Sequence, residues 1–106
     1  MNTLMKIKYN LGSASQIPPG EGREYNIAGR RIAVFHARNG QLYATQALCP
    51  HREGPLVDGL LGGSTLLCPL HAWKFELASG KAIMGDCDLL TYEVERSSLD
   101  EVLIAL

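Results

Sequence analysis

The stretch that decides the fold is residues 49–71, CPHREGPLVDGLLGGSTLLCPLH. It contains two short clusters of metal-binding side chains, Cys49 with His51 and Cys68 with His71, and sixteen residues separate His51 from Cys68. Thiolates bind zinc and iron–sulfur clusters, whereas imidazoles bind zinc, copper and iron. The pattern therefore predicts a metal site formed by these four side chains.

Two kinds of metal centre fit this mixture of ligands. A single zinc ion would take all four side chains, but zinc ligands in a cysteine pair are usually separated by two to four residues. Cys49 and His51 have only one residue between them. In a two-iron centre the two thiolates can take one iron and the two imidazoles the other. The residues alone leave both centres open.

The two clusters resemble the signature of the Rieske [2Fe–2S] family, which is Cys-x-His followed by Cys-x-x-His. Residues 54–56, Gly-Pro-Leu, and residues 71–75, His-Ala-Trp-Lys-Phe, are similar to the context of this signature in soluble family members. The resemblance implies one [2Fe–2S] cofactor.

By position, the resemblance assigns Cys49 and Cys68 to a buried iron and His51 and His71 to an outer iron. A zinc-stabilised interaction module would use the same four ligands and is the alternative from another functional class. Absorption in the visible range would distinguish the coloured cluster from colourless zinc.

Short alternations of apolar and polar residues predict an all-β fold of antiparallel strands. Residues 32–37 and 42–48 are apolar on both faces, as central strands are, and Asn39-Gly40 between them predicts a tight hairpin. A second hairpin is expected at Ala28-Gly29. The half-buried strands, with one apolar face, are residues 7–11, 73–77 and 90–94.

The resemblance adds an architecture to this pattern. It implies a single domain, residues 1–106, in which an antiparallel β-sandwich forms the base and residues 47–77 form a small inserted cluster-binding subdomain. The two ligand segments would meet at one tip, with both imidazoles near the surface.

Size and charge exclude several functions. A chain of 106 residues is one domain and has no room for a separate substrate or dinucleotide domain. Ten basic and eleven acidic residues give a net charge of −1 without a charged run, so neither nucleic acid nor a membrane is an expected partner. Residues 1–20 lack a signal-peptide pattern, which predicts a cytoplasmic location. We find no set of catalytic residues.

Three further residues have modest predicted roles. Cys87 lies outside both clusters, and we expect it to be a small filler residue and not a redox thiol or a spare ligand, since free cysteine behaves mostly as a small hydrophobe. His36 is expected to be a packed or strand-end histidine. Trp73 alternates with Phe75 and Leu77, which predicts core packing.

The predicted role is therefore that of a one-electron carrier or electron-transfer subunit. The chain most resembles the small subunits of NADH-dependent nitrite reductase, through the two clusters and a Gly-Asp-Cys…Thr-Tyr-x-Val pattern in residues 85–94. The ferredoxins of aromatic-ring dioxygenases are the alternative. The expected partner is a reductase, an oxygenase or a nitrite reductase large subunit, docked on an apolar patch of Leu56, Pro69 and Leu70 unless these residues pack inward.

The resemblance also predicts a low reduction potential. High-potential family members of the cytochrome bc type have a Ser two residues and a Tyr four residues after the second His, and both donate hydroxyl hydrogen bonds. This chain has Trp73 and Phe75 at those positions. Since such hydrogen bonds stabilise the reduced cluster, we expect a potential at the low end of the range.

Overall fold

The structure is a computed structural model and describes residues 6–50, 53–69 and 73–106. These residues contain two single turns of 3₁₀-helix, Ala14–Gln16 and Leu56–Asp58, and no α-helix. All strand pairings are antiparallel, which confirms the predicted fold class. The strands are β1 (Lys8–Ser13), β2 (Glu21–Ile27), β3 (Arg30–His36), β4 (Leu42–Gln46), β5 (Leu60–Gly62), β6 (Thr65–Leu67), β7 (Lys74–Glu76), β8 (Ala82–Met84), β9 (Thr91–Arg96) and β10 (Glu101–Ala105).

Six strands form the base of the molecule, in the order β1-β10-β9-β4-β3-β2. In the middle of this sheet β4 and β9 pair over only two residue pairs, which divides it into two three-stranded halves. Side chains from both halves, including Ile104 of β10 and Ile32 and Val34 of β3, are buried together in a first core. The sheet therefore folds over on itself, as the predicted sandwich base requires.

The other four strands form a smaller sheet in the order β5-β6-β7-β8. Leu66 of β6 and Phe75 of β7 are buried in a second core together with Leu56 of the 3₁₀ turn. The sheet carries the second predicted cluster, because Cys68 directly follows β6. It reaches Met84 in β8 and so extends past residue 77, the end that the sequence predicts for the insert.

Strand β3 separates the two cores. Ile32 and Val34 belong to the first core and Ala33 and Phe35 to the second, and all four are at most 1% exposed. Successive residues of a strand point to opposite faces. A strand that is buried on both faces must be apolar at every position, which explains the unbroken apolar run predicted for the centre of the sheet.

Both predicted hairpins are present. Between β3 and β4 the amide of Gly40 donates to the carbonyl of Ala37 at 2.9 Å, and the amide of Gln41 donates to the side-chain oxygen of Asn39 at 2.9 Å. Between β2 and β3 the two turn residues, Ala28 and Gly29, have φ values of 52° and 80°. Two consecutive positive φ values are typical of the tight turns that match the twist of paired strands.

Candidate metal centre

Cys49 and Cys68 both lie in the second core and are 1% and 2% exposed. The core around them is apolar and includes Leu66, Phe75 and Leu77. Neither cysteine is in a disulfide. The structure therefore brings one predicted thiolate ligand from each cluster into the same buried, apolar surroundings.

The two predicted imidazole ligands, His51 and His71, lie outside the described residues, as does Leu70 of the predicted docking patch. The residues that the structure describes contain no group of three or more His, Cys, Asp or Glu side chains arranged to hold a metal ion. The structure thus describes two of the four predicted ligands, the buried thiols of Cys49 and Cys68.

The same backbone hydrogen bond fixes each cysteine. The amide of Cys49 donates to the carbonyl of Gly54 at 2.8 Å, and the amide of Cys68 donates to the carbonyl of Trp73 at 2.7 Å. The acceptor is five residues after the cysteine in both cases. These bonds hold together the ends of the two ligand segments, residues 49–54 and residues 68–73. Each predicted histidine lies in the sequence between the two ends of its segment.

The first segment is tied to the base by β4. The amide of Leu56 donates to the carbonyl of Ala47 at 2.9 Å. The side chain of Gln46 donates through Nε2 to the carbonyl of Leu48 at 2.8 Å and accepts from the amide of Leu90 at 2.8 Å. Sequence reasoning missed Gln46, because a polar residue at the end of an apolar strand carries no signal of its own.

The second segment ends at Trp73, whose ring packs against Phe75 with a centroid separation of 6.2 Å and an interplanar angle of 49°. Trp73 is partly buried against the second core, which confirms its predicted packing role. The backbone of Gly85, in the loop after β8, lies against the indole. Sequence reasoning included Gly85 in the stretch of residues 85–94 but gave it no role at the site.

Two predictions about the exposure of side chains are wrong. Leu56 is fully buried in the second core and does not belong to a docking patch, because its 3₁₀ turn packs it inward. Cys87 is exposed and is not a buried filler, because it lies in the exposed loop after β8. Pro69 is exposed, as the docking prediction requires.

His36 is the last residue of β3, which confirms the strand-end prediction. Its Nδ1 lies 2.6 Å from the carbonyl oxygen of Ile17, and its Nε2 lies 2.9 Å from Nη2 of Arg96. A guanidinium can only donate and a carbonyl can only accept, so Nδ1 is placed to donate to Ile17 and Nε2 to accept from Arg96. His36 thus links Ile17, the residue after the first 3₁₀ turn, to the end of β9.

The residues present fit an iron–sulfur cluster. Thiolates are the protein ligands that such clusters require, and the two thiols lie together in a core from which water is excluded. A family model described as the Rieske [2Fe-2S] domain matches residues 7–90. The chain belongs to the Rieske [2Fe–2S] family. Its cofactor is a [2Fe–2S] cluster and not a zinc ion, and this Rieske protein transfers electrons.

Two curated relatives cover most of the chain. The ferredoxin component of the naphthalene 1,2-dioxygenase/salicylate 5-hydroxylase systems of a Ralstonia species is 34% identical over 89 residues, which are 82% of this Rieske chain and 85% of the relative. The ferredoxin component of the naphthalene 1,2-dioxygenase system of Pseudomonas putida is 32% identical over 87 residues, covering 80% and 83%.

Solved structures have the same fold. A ferredoxin in complex with the oxygenase of carbazole 1,9a-dioxygenase superposes with a TM-score of 0.82 at 32% identity, covering 95% of this chain and 94% of that one. A Mycobacterium tuberculosis chain described as an NADH-dependent nitrite reductase small subunit has a TM-score of 0.89 at 16% identity, and the match covers 96% of both chains. At that identity the likeness shows the fold alone.

Proposed function

We propose that Cys49, His51, Cys68 and His71 bind the [2Fe–2S] cluster. Three observations support this assignment: the two cysteines are buried in the same core, the amide of each donates to the carbonyl five residues later, and each histidine follows its cysteine within the segment so closed. When bound, the cluster accepts and releases one electron. The protein holds the ligands and keeps water from the thiolate side.

We infer that this electron serves an oxygenase, so that the protein is the ferredoxin component of an aromatic-ring-hydroxylating dioxygenase system. The observation that carries this inference is the 34% identity to such a component across most of both chains. The second candidate is the small subunit of a nitrite reductase. It is favoured by the pattern in residues 85–94, whereas the backbone likeness to such subunits adds only the shared fold.

The proposed docking surface consists of Pro69, Ile83 and Met84. Pro69 follows Cys68 and is exposed, and the two residues of β8 are 54% and 55% exposed. Met84 pairs with Lys74, the residue after the end of the second ligand segment. These apolar side chains therefore border the cluster segment. We propose that the oxygenase component binds there through a small contact, under about 1,200 Å² in total, as is usual for electron-transfer encounters.

The experiment compares electron transfer to the two candidate partners. The reduced protein is mixed in a stopped-flow instrument with the oxidised oxygenase component of a naphthalene 1,2-dioxygenase, and separately with a nitrite reductase large subunit. Reoxidation of the cluster is followed by its visible absorption. We expect transfer to the oxygenase. Transfer to the nitrite reductase subunit alone would establish the second candidate.

A pair of variants tests the docking surface. Met84→Asp should slow transfer to the oxygenase while leaving the spectrum unchanged, because a charge in the contact must lose water without gaining a partner. Leu99→Asp introduces the same charge at another exposed apolar position, in the turn between β9 and β10, and should leave the rate unchanged. Equal rates for both variants would exclude β8 from the contact.

No helix in the described ranges is long and apolar enough to cross a membrane. We propose a cytoplasmic location on separate grounds. All three cysteines are free of disulfides and one, Cys87, is exposed. Exposed thiols persist in compartments that are kept reducing.

A further inference from the structure

Gly85 occupies a position that a side chain would disturb. Its φ is 125°, in a region that residues with a Cβ rarely adopt. A Cβ at residue 85 would lie 2.8 Å from Cζ3 of Trp73, 2.5 Å from Cδ2 and closer still to Cε3. The six-membered ring of the indole therefore rests directly on the bare backbone of Gly85.

The loop that carries Gly85 is braced on both sides. Before it, Met84 pairs with Lys74 of β7. After it, the carboxylate of Asp88 accepts a hydrogen bond from the amide of Ala82 at 2.8 Å, which ties the far side of the loop back to β8. Because the loop is held at both ends, a side chain at residue 85 would displace the indole more readily than the loop.

We expect a displacement of the Trp73 indole to move the backbone of Cys68. Its carbonyl accepts the hydrogen bond from the amide of Cys68 at 2.7 Å. Its ring also contacts both Gly85 and Phe75, so we expect a side chain at residue 85 that displaces the ring to shift the backbone of Trp73 as well. The contacts therefore run from Gly85 through the indole to the backbone of Cys68.

We propose that Gly85 is a positioning residue for the cluster: by having no side chain, it seats the Trp73 indole, and Trp73 in turn fixes the backbone of Cys68. This inference rests on the proposed function in one respect, namely that Cys68 is a cluster ligand. It assigns a role at the metal centre to a residue outside both ligand segments.

The test is Gly85→Ala in the cluster-loaded protein, with two readouts. Trp73 is the only tryptophan of the chain, so tryptophan fluorescence reports the surroundings of this indole. We expect the indole to become more accessible to acrylamide quenching. We also expect the cluster to be lost to an iron chelator about 10-fold faster, the lower end of the effect of removing an outer-shell partner of a metal ligand.

Two alanine variants serve as controls. Gly62 lies in the same small sheet and has open space around its Cα, so Gly62→Ala tests the loss of a glycine there. Gly29 has a φ of 80° and also has open space, so Gly29→Ala tests positive-φ strain without a collision. Both should keep the wild-type quenching and rate of cluster loss.

A double variant separates the collision from strain at residue 85 itself. Phenylalanine lacks Cε3 and Cζ3, two of the three indole atoms nearest to a Cβ at residue 85. Gly85→Ala combined with Trp73→Phe should therefore lose its cluster more slowly than Gly85→Ala alone. The same comparison applies if Gly85→Ala does not fold, since relief of the collision should restore folding. No relief in the double variant would overturn the proposal, as would wild-type behaviour of Gly85→Ala.

The Cys68→Ser variant distinguishes failure of the ligand assignment from failure of this proposal. If Cys68→Ser keeps the visible spectrum, the proposed ligand set is wrong, whatever Gly85 does. If Cys68→Ser loses the spectrum and Gly85→Ala changes neither quenching nor cluster loss, the ligand set stands and only the role of Gly85 is rejected.

Discussion

Gln46 and Leu90 are joined by two hydrogen bonds: the amide of Gln46 donates to the carbonyl of Leu90 at 2.9 Å, and the amide of Leu90 donates to Oε1 of Gln46 at 2.8 Å. The remaining polar atom of the side chain, Nε2, donates to the carbonyl of Leu48, the residue before Cys49. A single side chain thus connects β4, the entry to β9 and the first ligand segment.

Replacing Gln46 should therefore affect both stability and cluster retention. Gln46→Leu removes two side-chain hydrogen bonds and should lower the free energy of unfolding by about 1–3 kcal/mol. Gln46→Glu keeps an acceptor for Leu90 but turns a carboxylate oxygen toward the carbonyl of Leu48. We expect faster cluster loss to a chelator in both variants. Wild-type retention in Gln46→Glu would show that the Leu48 contact does not support the metal site.

Removing either buried thiol should remove the cluster. In Cys49→Ser and Cys68→Ser we expect no visible absorption and a loosened small sheet, since metal binding supplies folding energy to such segments. The base should keep its strand signal in far-ultraviolet circular dichroism, because its core is separate. Cys87→Ser, at the exposed cysteine, is the matched control and should retain the spectrum. Unchanged absorption in either buried-thiol variant would contradict the ligand assignment.

The reduction potential should be low and should respond to Phe75. Family potentials span about −150 to +300 mV, and we expect a midpoint below about +150 mV. Phe75 is fully buried in the same core as Cys49 and Cys68. Phe75→Tyr adds a hydroxyl donor there and should raise the midpoint in protein-film voltammetry, because donors stabilise the reduced cluster. A wild-type midpoint above that limit would mean that another donor is present.

Tyr25→Phe should stabilise the base. The hydroxyl of Tyr25 is buried and has no hydrogen-bond partner among the residues described. Its removal should raise the free energy of unfolding by about 1 kcal/mol near pH 7, measured by urea denaturation. A decrease would indicate that the hydroxyl has a partner such as bound water.

The same variant should alter the response to alkali. Burial raises the pKa of Tyr25 above 10.0, and the Arg23 guanidinium offsets part of this effect. The unfolded chain therefore releases the proton at lower pH than the folded chain does, so stability falls as the pH rises above about 10. In Tyr25→Phe this alkaline loss should be smaller. Parallel urea titrations near neutral pH and above about pH 10 provide the comparison.

The sequence predicts most of the base, because its strands carry clear patterns and its hairpins carry turn residues. Strand β10 is not predicted. Residues 101–105 are apolar at four consecutive positions, and a short run without alternation does not distinguish a strand from other buried segments. Strands β5, β6 and β8 have three residues each, too few to display a period.

At the site, the sequence identifies the ligand types and their spacing but not their supports. The assignment of Cys49 and Cys68 as ligands stays a prediction, which rests on two thiols that are each followed closely by a histidine, a pattern characteristic of a metal site. The roles of Gln46 and Gly85 depend on contacts with residues elsewhere in the chain, Leu90 and Trp73. The prediction for Leu56 is wrong because an apolar residue beside a ligand can face either the partner or the core, and only packing decides.

The double burial of β3 limits how this protein can be re-engineered. Residues 47–84, which contain both ligand segments and the small sheet, could not be transplanted alone to another scaffold. Ala33 and Phe35 of β3 belong to the same buried core as these residues. A transplanted segment would therefore have to include β3. A recipient scaffold would need a strand with small and aromatic side chains on one face and its own core residues on the other.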